Sequence, residues 1–181
     1  MTFNTSSVFA KSIKVAALAG YGSATAAVKT VTLSESPMSM GIFIDYPIDE
    51  RRYLGAEHIR SINLSPLSSG VSLTGITGKW YFYRPAPQSF ADDIGARVTI
   101  HEYAISPYGG AAFGFAQSSL FSQTSGANAN TVGAYLGLKA GADFPLFRQF
   151  GARTEGGFTY NVVGEGKLQV LHFQLGFYVH L

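Results

Sequence analysis

Four histidines are the first candidates for chemistry, because imidazole can act as a general base and as a metal ligand. They are His58, His101, His172 and His180. The last two share one face of a predicted strand and lie roughly 26 Å apart at ~3.3 Å per residue, so they cannot bind one metal ion. His101 precedes Glu102, but no serine stands nearby in an activating pattern. The sequence holds no phosphate loop, H-E-x-x-H or calcium loop. We therefore predict no catalytic residue, no metal site and no cofactor.

The composition argues against an ordinary soluble domain. Only 13% of the 181 residues are charged, whereas 21 are glycine and 14% are aromatic; soluble domains usually carry about 25% charged residues. No stretch approaches the ~20 apolar residues of a membrane helix. A net charge of +2 without a Lys/Arg cluster argues against nucleic acid, and the lack of cysteine excludes disulfides and thiolate metal sites. These features together indicate a single-domain transmembrane β-barrel.

The last eleven residues show the alternation of a strand with one apolar face. Leu171, Phe173, Leu175, Phe177, Val179 and Leu181 occupy one parity, and polar or small residues occupy the other. Successive strand residues point to opposite faces, and about 9–11 residues span a bilayer as a tilted strand. A soluble, lipocalin-like barrel would alternate in the same way. Its polar face would carry many Lys and Glu residues, whereas here that face is rich in Gly, Tyr, Ser and Thr.

Alternation and turn residues predict eight strands. They cover residues 28–34, 40–48, 53–64, 71–84, 106–117, 131–144, 151–163 and 168–181. In the third, His58 and Arg60 share a parity with Leu54 and Ile62, which a bulge or a strand end outside the hydrocarbon band would explain. Ser118–Asn130 is rich in Ser, Asn, Thr and Gly and is predicted to be a long loop. Pro85–Tyr103 begins as a Pro-rich connection.

The first 27 residues differ from the rest. Lys11 and Lys14 precede a short apolar stretch, and Ser23–Ala27 supplies small residues that suit cleavage near Ala26. We predict that residues 1–27 are a signal peptide or an N-terminal tail, and that residues 28–181 form the barrel.

Three stretches resemble the small bacterial outer-membrane barrels of the OmpA/OmpX/OmpW type. The C-terminal residues Gln174, Gly176, Val179 and Leu181 match the spacing of the family's insertion signature, and Ser106–Phe115 and Gly133–Pro145 match its strands in residue type. The resemblance implies an all-β, eight-stranded, antiparallel up-and-down transmembrane barrel in the outer membrane of a Gram-negative bacterium. It also implies a lipid bilayer and the barrel-assembly machinery as partners, and both chain ends on the periplasmic side.

Alternation assigns seven charged residues to the barrel lumen. They are Asp45, Glu57, Lys79, Lys139, Asp143, Arg153 and Glu155. Enclosed charges must be paired or solvated, since an isolated buried ion costs several kcal/mol. We predict a network of ion pairs in which Arg153 contacts Glu155 or a carboxylate on a neighbouring strand. A conduction path is the alternative, although about eight strands leave an interior just wide enough for side chains.

Aromatic residues near strand ends are predicted to lie at the membrane–water interface, where a ring can sit at the headgroups with its polar edge in water. They are Trp80, Tyr81, Phe82, Tyr83, Phe144 and Phe177.

The sequence predicts an integral outer-membrane barrel with a structural or surface-interaction role and no enzymatic activity. The first alternative is a narrow channel or a binder of small or hydrophobic molecules. The second is a lipid-modifying enzyme, which an exposed His–Ser pair on the barrel wall would support. Nothing in the sequence identifies an external partner.

Overall fold

The computed structural model describes residues 13–62, 70–83, 105–122, 125–146 and 149–181. Within these ranges the chain forms nine β-strands, and no helix there is long and apolar enough to cross a membrane. The strands are β1 Lys14–Val28, β2 Val31–Glu35, β3 Met38–Pro47, β4 Arg52–Ile62, β5 Gly70–Tyr81, β6 Ser106–Phe121, β7 Asn128–Pro145, β8 Phe150–Glu165 and β9 Lys167–His180.

The sheet closes on itself because β1 pairs with both β3 and β9. The short strand β2 also pairs with β1, directly beyond β3, so β2 and β3 are two segments of one barrel strand. They are separated by Ser36 and Pro37, and Pro37 has no N–H with which to continue the ladder. Its carbonyl accepts a hydrogen bond from the Gly22 amide at 3.1 Å. The fold is therefore the predicted eight-stranded antiparallel up-and-down barrel.

The barrel has two distinct ends. At the end called proximal here, Lys14 pairs with His180, and the turn at residues 48–51, the end of β5, the start of β6, the end of β7 and the start of β8 lie on the same side. The turns at residues 29–30 and at Gly166 lie at the other end, called distal, together with the end of β4, the start of β5, the end of β6 and the start of β7. Following paired residues once around the barrel from Lys14 returns to β1 at Ala24, ten residues further along. Such a stagger accompanies strands tilted about 35–45° from the axis.

The barrel begins earlier in the chain than predicted. Strand β1 occupies residues 14–28, which were assigned to a signal peptide or tail, so the predicted boundary at residue 28 was wrong. Cleavage near Ala26 would remove the strand that joins β3 to β9. The stretch predicted as the first strand, residues 28–34, instead overlaps β2, within the second barrel strand. The prediction thus missed β1 and counted the second barrel strand twice, so the predicted number of eight strands is still correct.

The predicted long loop at Ser118–Asn130 was also wrong. Strand β6 runs to Phe121 and β7 begins at Asn128, which leaves six residues between them. Ser118 Oγ and Thr131 Oγ1 lie 2.8 Å apart as a cross-strand pair inside the barrel. The stretch Pro85–Tyr103, which includes His101, lies wholly outside the described residues.

The polarity of the wall reverses along the barrel axis. In the proximal section the outward side chains are large and apolar, among them Ile42, Ile44, Ile76, Phe113 and Leu138. In the distal section most outward side chains are polar, including Ser23, Arg60, Ser72, Gln117, Asn130 and Gln169, whereas most inward ones are buried and apolar, including Ala26, Ile59, Val71, Leu73, Leu120 and Val170. We call the apolar outer surface of the proximal section the belt.

Strand β4 keeps one outward parity through its polar residues His58 and Arg60. His58 and Arg60 point outward, as Leu54 does, and His58 pairs directly with Ile42, a residue of the belt. The pairings of β4 with β3 and β5 run without a register shift, so no bulge is involved. Of the two explanations that the sequence left open, the bulge is therefore wrong.

Candidate functional site

Among the described residues, eight charged side chains lie in the lumen of the proximal section, contributed by six of the nine strands. The seven predicted residues all point inward and are buried, and Lys14 on β1 joins them. Four cations thus face four carboxylates in a space that is almost closed to solvent. Buried charges of this kind are tolerated only when they are paired and hydrogen-bonded.

The eight residues form a single series of alternating charge, called the ion chain here. Its order is Lys14, Asp143, Arg153, Asp45, Lys79, Glu155, Lys139 and Glu57.

Arg153 makes three hydrogen bonds to two carboxylates of the ion chain. Arg153 Nε donates to Asp143 Oδ1 at 2.6 Å and its Nη1 donates to Asp45 Oδ2 at 2.7 Å. A second bond runs from Nη2 to Asp143 Oδ2 at 3.1 Å, so the contact with Asp143 is bidentate. Asp143 is on β7, which neighbours β8, and it is one of the carboxylates that the prediction for Arg153 allowed. Bidentate pairing fixes the guanidinium in orientation as well as in position.

The lysines extend the ion chain on both sides of Arg153 and its two carboxylates. Lys14 Nζ donates to Asp143 Oδ2 at 2.6 Å, and Lys79 Nζ donates to Asp45 at 2.9 and 3.0 Å. Lys79 also lies 3.6 Å from Glu155, which accepts a hydrogen bond from Lys139 at 2.8 Å. Lys139 pairs in turn with Glu57.

Three tyrosine hydroxyls bond to carboxylates of the ion chain. Tyr81 Oη donates to Asp143 Oδ2 at 2.7 Å and accepts from Lys14 and Arg153 at 3.1 and 3.2 Å. Tyr108 donates to Glu155 and Tyr135 donates to Glu57, each at 2.8 Å. The phenol groups use carboxylate lone pairs that the cations leave free, as a buried network requires.

Aromatic rings and glycines fill the space around the charges. Lys14 Nζ lies 4.9–5.0 Å from the ring centroids of Tyr53, Tyr81 and Tyr178. A Cβ on Gly141 would lie 2.5 Å from Tyr108 Oη, and one on Gly75 would lie 2.5 Å from Tyr135 Oη. Each of these rings therefore occupies room that only a glycine on another strand leaves.

Two layers lie distal to the ion chain. The first is polar and mostly uncharged: Gln174 Nε2 donates to Ser39 Oγ at 2.6 Å, and His172 is buried beside them on β9. Both ring nitrogens of His172 and Oε1 of Gln174 lack a hydrogen-bond partner among the described residues. The second layer is the apolar core of the distal section. The lumen is thus filled by three successive layers.

Sequence reasoning missed Lys14 and misplaced Tyr81. Lys14 was read as a basic residue before a signal sequence, although its alternation with Ala16 and Leu18 matches an inward strand face. Tyr81 was predicted to lie at the membrane interface, and this was wrong, because its side chain is fully buried within the ion chain. Its parity with Lys79, which was assigned to the lumen, was the signal that could have corrected it.

The other predicted interface aromatics lie on or near the outer wall at the proximal end. Trp80, Phe82 and Tyr83 are more than 60% exposed, and Phe177 stacks on Phe150 with ring centroids 5.1 Å apart. Phe144 is half-buried near the end of β7. These positions form the proximal border of the belt.

The predicted insertion signature is divided between the two faces of β9. Gln174 and Gly176 point inward, and Val179 and Leu181 share the outward parity. Gly176 is packed against β1, where a Cβ would lie 2.1 Å from the Ala17 carbonyl oxygen. The signature thus lies on one of the two strands that form the closing seam of the barrel.

The three described histidines are dispersed. His58 is on the outer wall, His172 is in the lumen and His180 lies edge-on to Tyr178 near the proximal end. The described residues contain no group of three or more His, Asp or Glu side chains placed to hold a metal ion.

Solved structures with the same architecture cover nearly the whole chain. Neisserial surface protein A (NspA) matches with a TM-score of 0.64 at 16% identity, over 92% of this chain and 96% of that one. This chain has the fold of the small outer-membrane β-barrels. The N-terminal β-barrel domain of Pseudomonas aeruginosa OprF matches this barrel with a TM-score of 0.61 at 13% identity, over 94% and 98% of the two chains.

The outer membrane protein OprG from Pseudomonas aeruginosa also matches, with a TM-score of 0.53 at 12% identity, over 94% of this barrel and 97% of that chain. No protein-family model matches the sequence. No curated protein matches it either. The resemblance to outer-membrane barrels that the sequence suggested is confirmed for the fold.

Proposed function

We propose that the protein is an integral outer-membrane barrel with a structural or surface-interaction role, closed to ions and without enzymatic activity. The ion chain is the observation that carries this proposal. Each of its eight members is bonded to oppositely charged neighbours and buried, so the described residues leave no free charged group in the proximal lumen to guide an ion through. The apolar distal core adds a second barrier, because ions cross apolar material only at high cost.

The lipid bilayer is the environment that the belt requires. On β6 the outward residues from Pro107 to Phe115 are small or apolar, a nine-residue stretch that suits a tilted membrane strand. The fold of the solved relatives supports the outer membrane of a Gram-negative bacterium as the location. Insertion by the barrel-assembly machinery, through Gln174, Gly176, Val179 and Leu181, is part of the proposal.

The distal section is the region proposed to face the outside, with both chain ends in the periplasm. Its polar outer wall continues the strands beyond the bilayer, and its described connections at residues 29–30 and at Gly166 are very short. A surface partner would therefore meet a rigid, strand-built rim.

Two measurements on one preparation test the proposal. The purified protein, folded in detergent, is run boiled and unboiled on a gel alongside envelope fractions, and it is then added to a planar bilayer. We expect a mobility shift, recovery with the outer membrane and no steady conductance. Sustained single-channel conductance by the unaltered protein would reject the closed barrel and support the narrow-channel alternative.

A second candidate function, lipid modification, has one observation in its favour. His58 Nδ1 lies 2.8 Å from Thr74 Oγ1, and both side chains are exposed on the outer wall, where they pair with Ile42 and Phe115 of the belt. A hydroxyl within hydrogen-bond reach of an imidazole is the minimal arrangement of an activated nucleophile. Incubation with phospholipid and lipid A vesicles, followed by mass spectrometry of the lipids, tests this function. Deacylation that His58→Asn abolishes would establish the enzyme, and intact lipids would exclude it.

A further inference from the structure

The outer wall of the barrel carries an apolar groove within the belt. Its volume is about 690 Å³, within the range of ligand pockets. It runs across four adjacent strands, β7, β8, β9 and β1. Its principal lining side chains are Tyr21, Leu138, Ala140, Phe158, Leu171 and Phe173.

The groove exists because small residues lie opposite each other where their neighbours are large. Ala140 pairs with Gly156, and Gly156 pairs with Phe173 on its other side. One step distal, Leu138 pairs with Phe158, and both side chains stand out from the wall. Ala140 and Gly156 thus make a floor, whereas Phe158 and Phe173 make the sides.

A flexible chain fits this shape better than a second barrel does. The outer wall of another copy is convex and rigid, so the projecting side chains of Leu138, Phe158 and Phe173 would hold it away from the floor. An acyl chain is thin enough to lie between them. The groove is continuous with the belt, so acyl chains are the material that surrounds it.

The charges around the groove favour a zwitterionic lipid. Within the belt, the described outward side chains of β7, β8, β9 and β1 carry no charge, and Lys139 points into the lumen. Headgroups with a net negative charge, such as the phosphates of lipid A, are usually held by Arg or Lys, whereas the phosphate of a zwitterionic lipid is balanced by that lipid's own cation. Tyr21 and Ser23 at the distal edge of the groove offer only hydroxyl groups.

We infer that this groove is a binding site for one acyl chain of a zwitterionic phospholipid, which stays with the protein when the surrounding lipid is removed. The inference rests on the proposed function only in requiring that the belt faces lipid.

Placing a large side chain on the floor of the groove tests the inference. A Cβ on Gly156 would have no neighbour closer than 3.7 Å, so Gly156→Leu should fold normally while it occupies the groove. Gly78→Leu is the matched control, because Gly78 is also outward and its Cβ would meet nothing within 4 Å. Each protein is delipidated, offered phosphatidylethanolamine in detergent micelles and examined by native mass spectrometry.

We expect one phosphatidylethanolamine per molecule of the unaltered protein and of Gly78→Leu, and about tenfold less on Gly156→Leu. Equal retention by all three would overturn the site. Preferential retention of lipid A in a parallel sample would overturn the choice of lipid, and a dimer that only Gly156→Leu disrupts would assign the groove to a second copy.

The same samples separate this inference from the proposed function. A boiled-against-unboiled gel reports whether each variant is a folded barrel, independently of the lipid count. If Gly156→Leu does not fold, Ala140→Leu fills the same floor from β7 and must give the same loss of lipid for the inference to stand.

Discussion

The proximal and distal sections of this barrel are built from the same strands with opposite polarity. In the proximal section the wall is apolar outside and the lumen holds the ion chain; in the distal section the wall is polar outside and the interior is an apolar core. On β6 the change occurs between Phe115 and Gln117, and on β1 between Tyr21 and Ser23. Inward and outward positions keep alternating along each strand, but the apolar residues move from the outward positions to the inward ones.

The difference indicates where the bilayer ends. A strand in lipid must present apolar side chains outward, because charged groups there are costly, whereas a strand in water buries its apolar side chains inward. The distal section is thus organised like a small soluble barrel that stands on a membrane barrel. The soluble-barrel alternative raised by the sequence describes this section of the molecule and not the whole.

The largest effect is expected when Arg153 is removed from the ion chain. Arg153→Ala leaves Asp143 and Asp45 without their shared cation, and removal of one partner from a buried pair usually costs about 3–5 kcal/mol. We expect the midpoint of urea unfolding in phospholipid vesicles, followed by gel mobility, to fall sharply. Arg60→Ala is the control, because Arg60 is exposed on the distal outer wall. A similar loss in both variants would mean that the ion chain does not stabilise the proximal section.

A charge placed on the outer wall of each section tests the reversal itself. Leu138 and Asn130 lie on the same outward face of β7, the first in the belt and the second distal to it. Leu138→Arg should destabilise the barrel by about 2–4 kcal/mol, and Asn130→Arg by about 0–1 kcal/mol. The same unfolding assay measures both. Equal costs would place the two residues at one membrane depth and contradict the boundary drawn here.

A methyl group added inside or outside the proximal section should have unequal effects. Gly141→Ala forces Tyr108 away from its bond with Glu155 and should cost about 1–3 kcal/mol through overpacking. Gly78→Ala points into open space on the outer wall and should change the stability little. Thermal unfolding of the two variants in micelles compares them. A Gly141→Ala protein as stable as the parent would show that the lumen is loosely packed.

The smallest effect is expected at the proximal turn outside the membrane. Hydrogen bonds from the Arg51 amide and the Arg52 side chain lower the pKa of Asp49 below its usual 3.8. Because the folded pKa is the lower one, Asp49 stabilises the fold above pH 3.8, and this contribution is lost as the pH falls through the folded value. Asp49→Asn should therefore slightly reduce stability at pH 7 and remove this part of the acid sensitivity, as unfolding curves at pH 7 and pH 3 would show.

Much of the fold could be predicted from the sequence because alternation is a local property. The inward positions of Lys79, Lys139, Asp143 and Arg153 follow from parity alone. The error at Tyr81 arose when four consecutive aromatics were treated as a cluster, although the same parity rule places it inward. The pattern at residues 14–28 was harder to read, because small apolar residues suit both a secretory signal and a strand packed against a crowded lumen.

The amino-acid sequence by itself determined that the chain forms strands with two different faces. It also determined which side chains share a face. Tertiary structure alone decided which of those side chains meet. Lys14 and Asp143 are 129 residues apart, and they touch only because β1 closes the barrel and the strands are staggered by ten residues around it. The reversal of polarity is likewise visible only once neighbouring strands are aligned. Strand periodicity depends on two adjacent residues, whereas closure, stagger and membrane depth depend on all eight barrel strands at once.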